Sequence, residues 1–163
     1  MNTMNTMNTM NKFKSVIVLA AVLFASAISV SCSSDDDNPK DPSIVGTWLQ
    51  TSGSSETIKN GTSEGVENDV VDADNFVRIT FNSDGTFSDF SSNLYNGQLE
   101  TSTDPGTYTT EGNILSFTYD GDPDIEMVTY SVTATQLIIS GSDEETNNGD
   151  IFVYNYSTTF TRQ

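Results

Sequence analysis

The sequence predicts an all-β domain, an antiparallel barrel or sandwich of about eight to ten short strands. Apolar and polar residues alternate at a period of two in window after window between Val45 and Arg162. Turn-forming runs such as Asn82-Ser83-Asp84-Gly85 and Glu111-Gly112-Asn113 separate these windows at regular spacing. No window carries a sustained helical period.

Val45 to Gln50 reads as the first strand, followed by a less regular one near Val66 to Val71. Val77, Ile79 and Phe81 alternate with Arg78 and Thr80, Asp84-Gly85 supplies the turn, and Thr86-Phe87 begins the return of a hairpin. A further strand is expected near Leu94 to Glu100, then Gly106 to Thr110, a turn at Glu111-Gly112-Asn113, and Ile114 to Tyr119 with Leu115, Phe117 and Tyr119 on one face. Asp120 to Asp124 turns again. Met127 to Thr133 places Val128, Tyr130 and Val132 together, Gln136 to Ser140 carries Leu137, Ile138 and Ile139, and Asp150 to Arg162 forms a long last strand. In that strand Phe152, Tyr154, Tyr156, Phe160 and Arg162 share one face and Asn155, Ser157, Thr159 and Thr161 the other. A closed barrel gives every strand such an apolar side and a wet side, and it leaves no exposed edge.

The amino end is read separately, because its apolar stretch is not part of the fold. Met1 to Met10 repeats Met-Asn-Thr three times, so translation starts at either Met1 or Met10. Lys12 and Lys14 precede the sixteen uncharged residues Ser15 to Val30, too few for the roughly 20 that span a bilayer as a helix. Residues 1–31 therefore read as a signal peptide. Its end, Ser29-Val30-Ser31-Cys32, resembles the lipobox of bacterial lipoproteins, which implies acyl chains on Cys32 and attachment to a membrane. Residues 32–42, with Asp35-Asp36-Asp37 and two prolines, cannot bury apolar surface and read as an acidic flexible tether. The acidic run also resembles the sorting signal that sends some lipoproteins to the outer face of the outer membrane, although a plain solvated linker accounts for it equally. The expected location is the outer membrane, with surface exposure left open. The globular domain occupies residues 43–163.

Composition removes several mechanisms. The chain has no histidine and one cysteine, so a Ser-His-Asp triad, a histidine-ligated metal and an internal disulfide are all impossible. Six Lys plus Arg against 23 Asp plus Glu give a net charge of −17, which disfavours nucleic acid. Once the leader is removed, all the acids remain against Lys40, Lys59, Arg78 and Arg162. The alternate carboxylates of Asp120, Asp122 and Asp124 superficially resemble the start of a calcium loop. The sixth position is Ile125 where an EF-hand needs Gly, and the twelfth is Ser131 where it needs Glu, so a solvated turn is the better reading. Asp143-Glu144-Glu145 and Asp150 are read as flanking another solvated loop. Lys59 near a serine imitates a Ser-Lys dyad, but Asn60-Gly61 beside it marks a turn. Neither a catalytic residue, a metal ligand nor a cofactor is expected, and the chain is not read as an enzyme.

Gly46-Thr47-Trp48 near the start of the domain resembles the Gly-x-Trp signature of the lipocalins, and Arg162 at its end resembles the arginine that packs across that tryptophan. Phe81 to Phe87 and Gly106-Thr107-Tyr108 resemble small lipocalin-like domains of bacterial outer-membrane lipoproteins. No Thr-Asp-Tyr motif of the eukaryotic branch is present. The resemblance implies an antiparallel up-and-down β-barrel of about eight strands, closed at one end by Gly46, Trp48 and Arg162.

It also implies a cup that holds a small apolar or amphipathic molecule. Phe81, Phe117, Tyr130, Phe152, Tyr154 and Tyr156 are the candidate wall residues. The inward windows Val77 to Phe81, Leu115 to Tyr119 and Val128 to Val132 carry no charge, so the expected interior is apolar and suited to an acyl, isoprenoid or aromatic ligand. An eight-stranded barrel is only just wide enough for side chains or one small ligand. The other expectation is accordingly a filled barrel whose loops bind an envelope protein or a glycan.

Overall fold

The computed structural model describes residues 43–163. The expected signal peptide, Cys32 and the expected tether lie outside the described residues. Nine strands make up the fold: β1 (Gly46–Lys59), β2 (Thr62–Asn68), β3 (Phe76–Phe81), β4 (Thr86–Tyr95), β5 (Gln98–Glu111), β6 (Ile114–Tyr119), β7 (Glu126–Val132), β8 (Gln136–Asn147) and β9 (Asp150–Arg162). They form one antiparallel sheet in the order β2-β1-β3-β4-β5-β6-β7-β8-β9, and β1 also pairs with β9. Eight strands, β1 and β3 to β9, therefore close into an up-and-down barrel, and β2 is an extra strand laid on β1.

β1 is shared between two neighbours on one of its edges. Gly46 to Leu49 pair with β3, whereas Ser54 to Lys59 pair with β2. Its other edge follows β9 from Trp48 opposite Arg162 to Lys59 opposite Phe152. A register shift between Gln50 and Ser52 adds one residue to β1, so the inward side passes from Trp48 and Gln50 to Gly53, Ser55 and Thr57.

The alternation places apolar side chains inside the lower barrel. Trp48, Ile79, Phe81, Phe87, Leu115, Phe117, Val128, Leu137, Ile139 and Phe160 are buried in one cluster with Ile44, and Tyr108, Tyr119 and Tyr130 pack against it. Phe87 and Phe117 have ring centroids 5.1 Å apart, and Tyr108 meets Phe81 edge-on at 4.8 Å. Such tilted and edge-on contacts suit the ring quadrupole and leave little room between side chains.

The upper end is built from long hairpins. Asn60-Gly61, Asn96-Gly97 and Asn148-Gly149 join β1 to β2, β4 to β5 and β8 to β9, and all six residues have positive φ, between 49° and 91°. That is the two-residue turn whose twist matches the flanking strands, and asparagine and glycine tolerate it best.

Several boundaries differ from those expected. Leu94 to Glu100 is the tip of the β4–β5 hairpin, with Tyr95 opposite Gln98, because Asn96-Gly97 reverses the chain there. The irregular second strand is Thr62–Asn68 and not Val66 to Val71. Asp143-Glu144-Glu145 belongs to β8, which runs on from Ser140 to Asn147 as the partner of β9. These polar segments pair through their backbones, which alternation of side chains does not reveal.

Candidate functional site: a sealed floor, a carboxylate-lined mouth and an opening in the wall

The floor is sealed by Trp48, which is 0% exposed. Its indole N–H donates to the Ile44 carbonyl at 2.7 Å, so the one polar atom of the ring is satisfied. The Arg162 guanidinium carbon lies 4.1 Å from the ring centroid. Its nitrogens donate to the carbonyls of Ser43 (2.6 Å), Val45 (2.8 Å) and Ala134 (2.8 Å). One side chain thus ties the start of β1, the β7–β8 turn and the end of β9. Gly46 is required beside it: its φ is +137°, and a Cβ there would sit 2.5 Å from Arg162 Nη1.

Above this core the inward positions change character. By register, Asp89 on β4 follows Phe87 and faces Asp104 on β5, Glu126 on β7 faces Phe117 on β6, and Asp143 on β8 faces Tyr154 on β9. The expectation of a charge-free interior is overturned here. Of the apolar windows from which it was drawn, that of β7 stops one step short of Glu126, and Asp89 and Asp143 lie on β4 and β8, outside those windows. Burial is the main cause that pushes the Asp89 carboxyl from an ordinary 3.8 to about 6, with the charges of Asp104 and Glu126 adding to it and a hydrogen bond from Tyr119 opposing it. Asp89 Oδ1 is out of reach of solvent and has no hydrogen-bond partner. Glu126 is raised by desolvation and then by Asp143 and Asp122, and Asp143 by desolvation. Burial and the neighbouring carboxylates raise Tyr119 as well, and they push Tyr156 up to about 12.

The wall is incomplete on this side. β7 pairs with β6 as far as Glu126 opposite Phe117, and β8 pairs with β9 as far as Asn147. Between β7 and β8 the ladder stops at Thr129 opposite Ser140, where the Thr129 hydroxyl donates to the Ser140 carbonyl at 3.0 Å. Beyond that row no ladder joins the two strands, and a groove of about 600 Å³ runs along the gap, lined on the outer side of the wall by Ile114, Met127, Thr129, Ser140 and Ser142 and reaching Val128 and Gly141 of inward parity. This lies within the roughly 300–1,000 Å³ usual for small-ligand sites. On the inner side of β8, the Tyr156 ring and hydroxyl occupy the space where a Gly141 side chain would stand, so the glycine lets the tyrosine lie flat against the strand.

The sequence-predicted residues fall into two groups. Gly46, Trp48 and Arg162 come together at the floor. Phe81 and Phe117 are buried in the packed core with ring centroids 6.1 Å apart, and Tyr130 is half-buried at its edge. Phe152, Tyr154 and Tyr156 are half-buried along upper β9, where the Phe152 and Tyr154 rings stack at 6.4 Å and the Tyr154 hydroxyl donates to Glu145 at 2.8 Å. Asp89, Glu126 and Asp143 were missed, as was Gln50, which is 8% exposed and holds Asp69 through its amide N–H and the Val77 N–H through its oxygen. The usable signal for the acids was parity carried past the apolar windows: Glu126 lies two residues before Val128 and Asp89 two after Phe87. Among the described residues no three His, Cys, Asp or Glu are placed to hold a metal ion, and Asp122 turns locally to accept from the Asp124 N–H at 3.1 Å.

A closed barrel of eight up-and-down antiparallel strands, with an arginine-stacked tryptophan at its floor, is a lipocalin-like architecture. The model of the lipocalin-like domain family matches residues 44–139, more than half of the chain, and the chain belongs to that family. Among solved structures it is similar to a lipocalin-like protein from Bacteroides uniformis, at 16% identity over 69% of this chain and 96% of that one, with a TM-score of 0.39. No curated protein matches it.

Proposed function

We propose that this protein is a non-catalytic, lipid-anchored envelope lipoprotein whose barrel binds a small amphipathic molecule in its upper half. The observation that carries the binding role is the contrast within one barrel. The lower half is filled by packed aromatic and aliphatic side chains, while the wall opening beside the end of the β7–β8 ladder offers a groove of about 600 Å³ with apolar and polar lining. Family membership supports a small-molecule role for such a barrel. A wholly apolar ligand fits the mouth poorly, because it would strip water from its carboxylates without pairing them, at a cost.

The anchor is supported by the sequence at Ser29-Val30-Ser31-Cys32. At about 0.8 kcal/mol per buried methylene, two or three acyl chains hold a protein on a membrane, and the outer membrane is the expected one. Replacing Cys32 with Ala should move the protein out of the membrane fraction, and unchanged partition would refute the anchor. For the ligand, the test is mass spectrometry of small molecules that copurify with the full chain. A recurrent amphipathic species, lost on unfolding, is the expected result.

A second reading, an interaction module, is favoured by one observation. The β4–β5 tip exposes Leu94, Tyr95 and Leu99 together, with Leu94 directly opposite Leu99. A protein or glycan partner would use that tip, and Leu94→Ser with Leu99→Ser would abolish its capture without altering small-molecule binding.

A further inference from the structure

The small-molecule reading leaves the charge of the ligand open, and the residues around the wall opening bear on it. Three features meet there. The β7–β8 ladder ends at Thr129 opposite Ser140, so the facing edges of Glu126 to Val128 and of Gly141 to Asp143 have no strand between them. The groove so formed is apolar along Ile114, Met127 and Val128, and Ile114 and Met127 are open to solvent. Three positions beyond the last paired row, where β7 ends and β8 runs on, each strand carries a carboxylate of inward parity, Glu126 on β7 and Asp143 on β8.

Charge complementarity selects the occupant. The cationic side chains of the described residues serve elsewhere: Lys59 pairs with Asp150 at 2.7 Å, Arg78 lies over Phe90, and Arg162 is committed to the floor. Glu126 and Asp143 therefore face each other's charge, and that of Asp122, with no cationic side chain among the described residues to relieve it. An anionic ligand would add to this repulsion and a neutral one would leave it in place. A cation relieves it, more strongly in the partly desolvated opening than in open water. Without a three-carboxylate cluster among the described residues, the geometry suits an organic cation and not a coordinated metal ion.

We propose that the opening between β7 and β8 seats an amphipathic organic cation, an amine bearing an apolar tail, with the tail along Ile114, Met127 and Val128 and the ammonium group at Glu126 and Asp143. This rests on the small-molecule reading above and specifies its ligand class. Tyr156, held flat against Gly141 on the inner side of the same opening, presents an aromatic surface to such a group.

The test uses the full chain in nanodiscs, titrated calorimetrically with hexylammonium, hexanol, hexanoate and methylammonium, with empty nanodiscs subtracted. Hexylammonium should bind saturably and at least tenfold more tightly than hexanol or methylammonium, and hexanoate should not bind. Glu126→Gln and Asp143→Asn should each weaken hexylammonium about tenfold and leave hexanol unchanged, with Trp48 fluorescence reporting an intact fold. Met127→Ser should weaken hexylammonium and hexanol alike. Equal binding of hexanol and hexylammonium, insensitive to both carboxylate variants, would overturn the cation proposal and leave the small-molecule reading standing. Equal binding of methylammonium would reduce the effect to diffuse negative charge and overturn it too. Binding of none of the four would overturn both.

Discussion

The floor and the mouth of this barrel are built by the same eight strands and obey opposite rules. At the floor the inward positions are apolar or, like Arg162, hydrogen-bonded through each nitrogen, and the rings of Phe81, Phe87 and Phe117 pack directly on one another. At the mouth the inward positions of those strands carry Asp89, Glu126, Asp143 and Tyr119, whose titration is displaced by burial and mutual repulsion. Stability is thus concentrated below, and the cost of desolvated charge is concentrated above. The proposed binding role calls for such a division, with stability held in the scaffold and the site drawn from the less stable end.

The largest effect should come from removing the floor. Trp48→Ala deletes a fully buried indole together with the stacking surface of Arg162, and should cost about 3–5 kcal/mol in urea denaturation. Phe152→Ala, an aromatic truncation of similar kind in the half-buried mouth, should cost less than about 1 kcal/mol. Equal losses would erase the distinction between the two ends.

Asp89→Asn should have the next largest effect, and with the opposite sign. The folded carboxyl titrates near 6 and the unfolded one near 3.8, so the native state holds its proton to higher pH. Its contribution is fully present below the unfolded value and is lost as pH rises through about 6. The wild-type protein should therefore lose stability between pH 4 and pH 7 by up to about 3 kcal/mol from this group. The Asn variant should show a flatter melting profile and a higher melting temperature at pH 7.5, with no gain at pH 4. A steeper profile in the variant would show that Asp89 is not the group responsible.

Gly46→Ala should follow, at about 1–3 kcal/mol, because the backbone at φ +137° disfavours a side chain and the new Cβ would displace Arg162. A red shift of Trp48 fluorescence should accompany the loss. Smallest of all, Lys59→Met removes the exposed pair with Asp150 at the top of β1 and should leave the melting temperature unchanged in 0.15 M salt.

The apolar alternation of Val77 to Phe81, Leu115 to Tyr119 and Val128 to Val132 determined by itself that the domain is all-β and antiparallel, because a half-buried strand must segregate its two faces at a period of two. Gly46, Trp48 and Arg162 were also legible, through their resemblance to a motif whose chemistry requires those residue types at the two ends of the chain. The tertiary structure alone decided the rest. Polar stretches such as Thr51 to Lys59 and Gly141 to Asn147 become strands through backbone pairing with β9, which no side-chain pattern announces. The bulge at Thr51 changes which residues of β1 face inward, and the early end of the β7–β8 ladder opens the wall. Register and ladder length are set by contacts between residues far apart in the chain. For that reason the sequence located the floor, where burial leaves its mark on residue type, and was silent about the mouth, where the half-buried Asp89 and the more open Glu126 and Asp143 look in the sequence like any solvated acids.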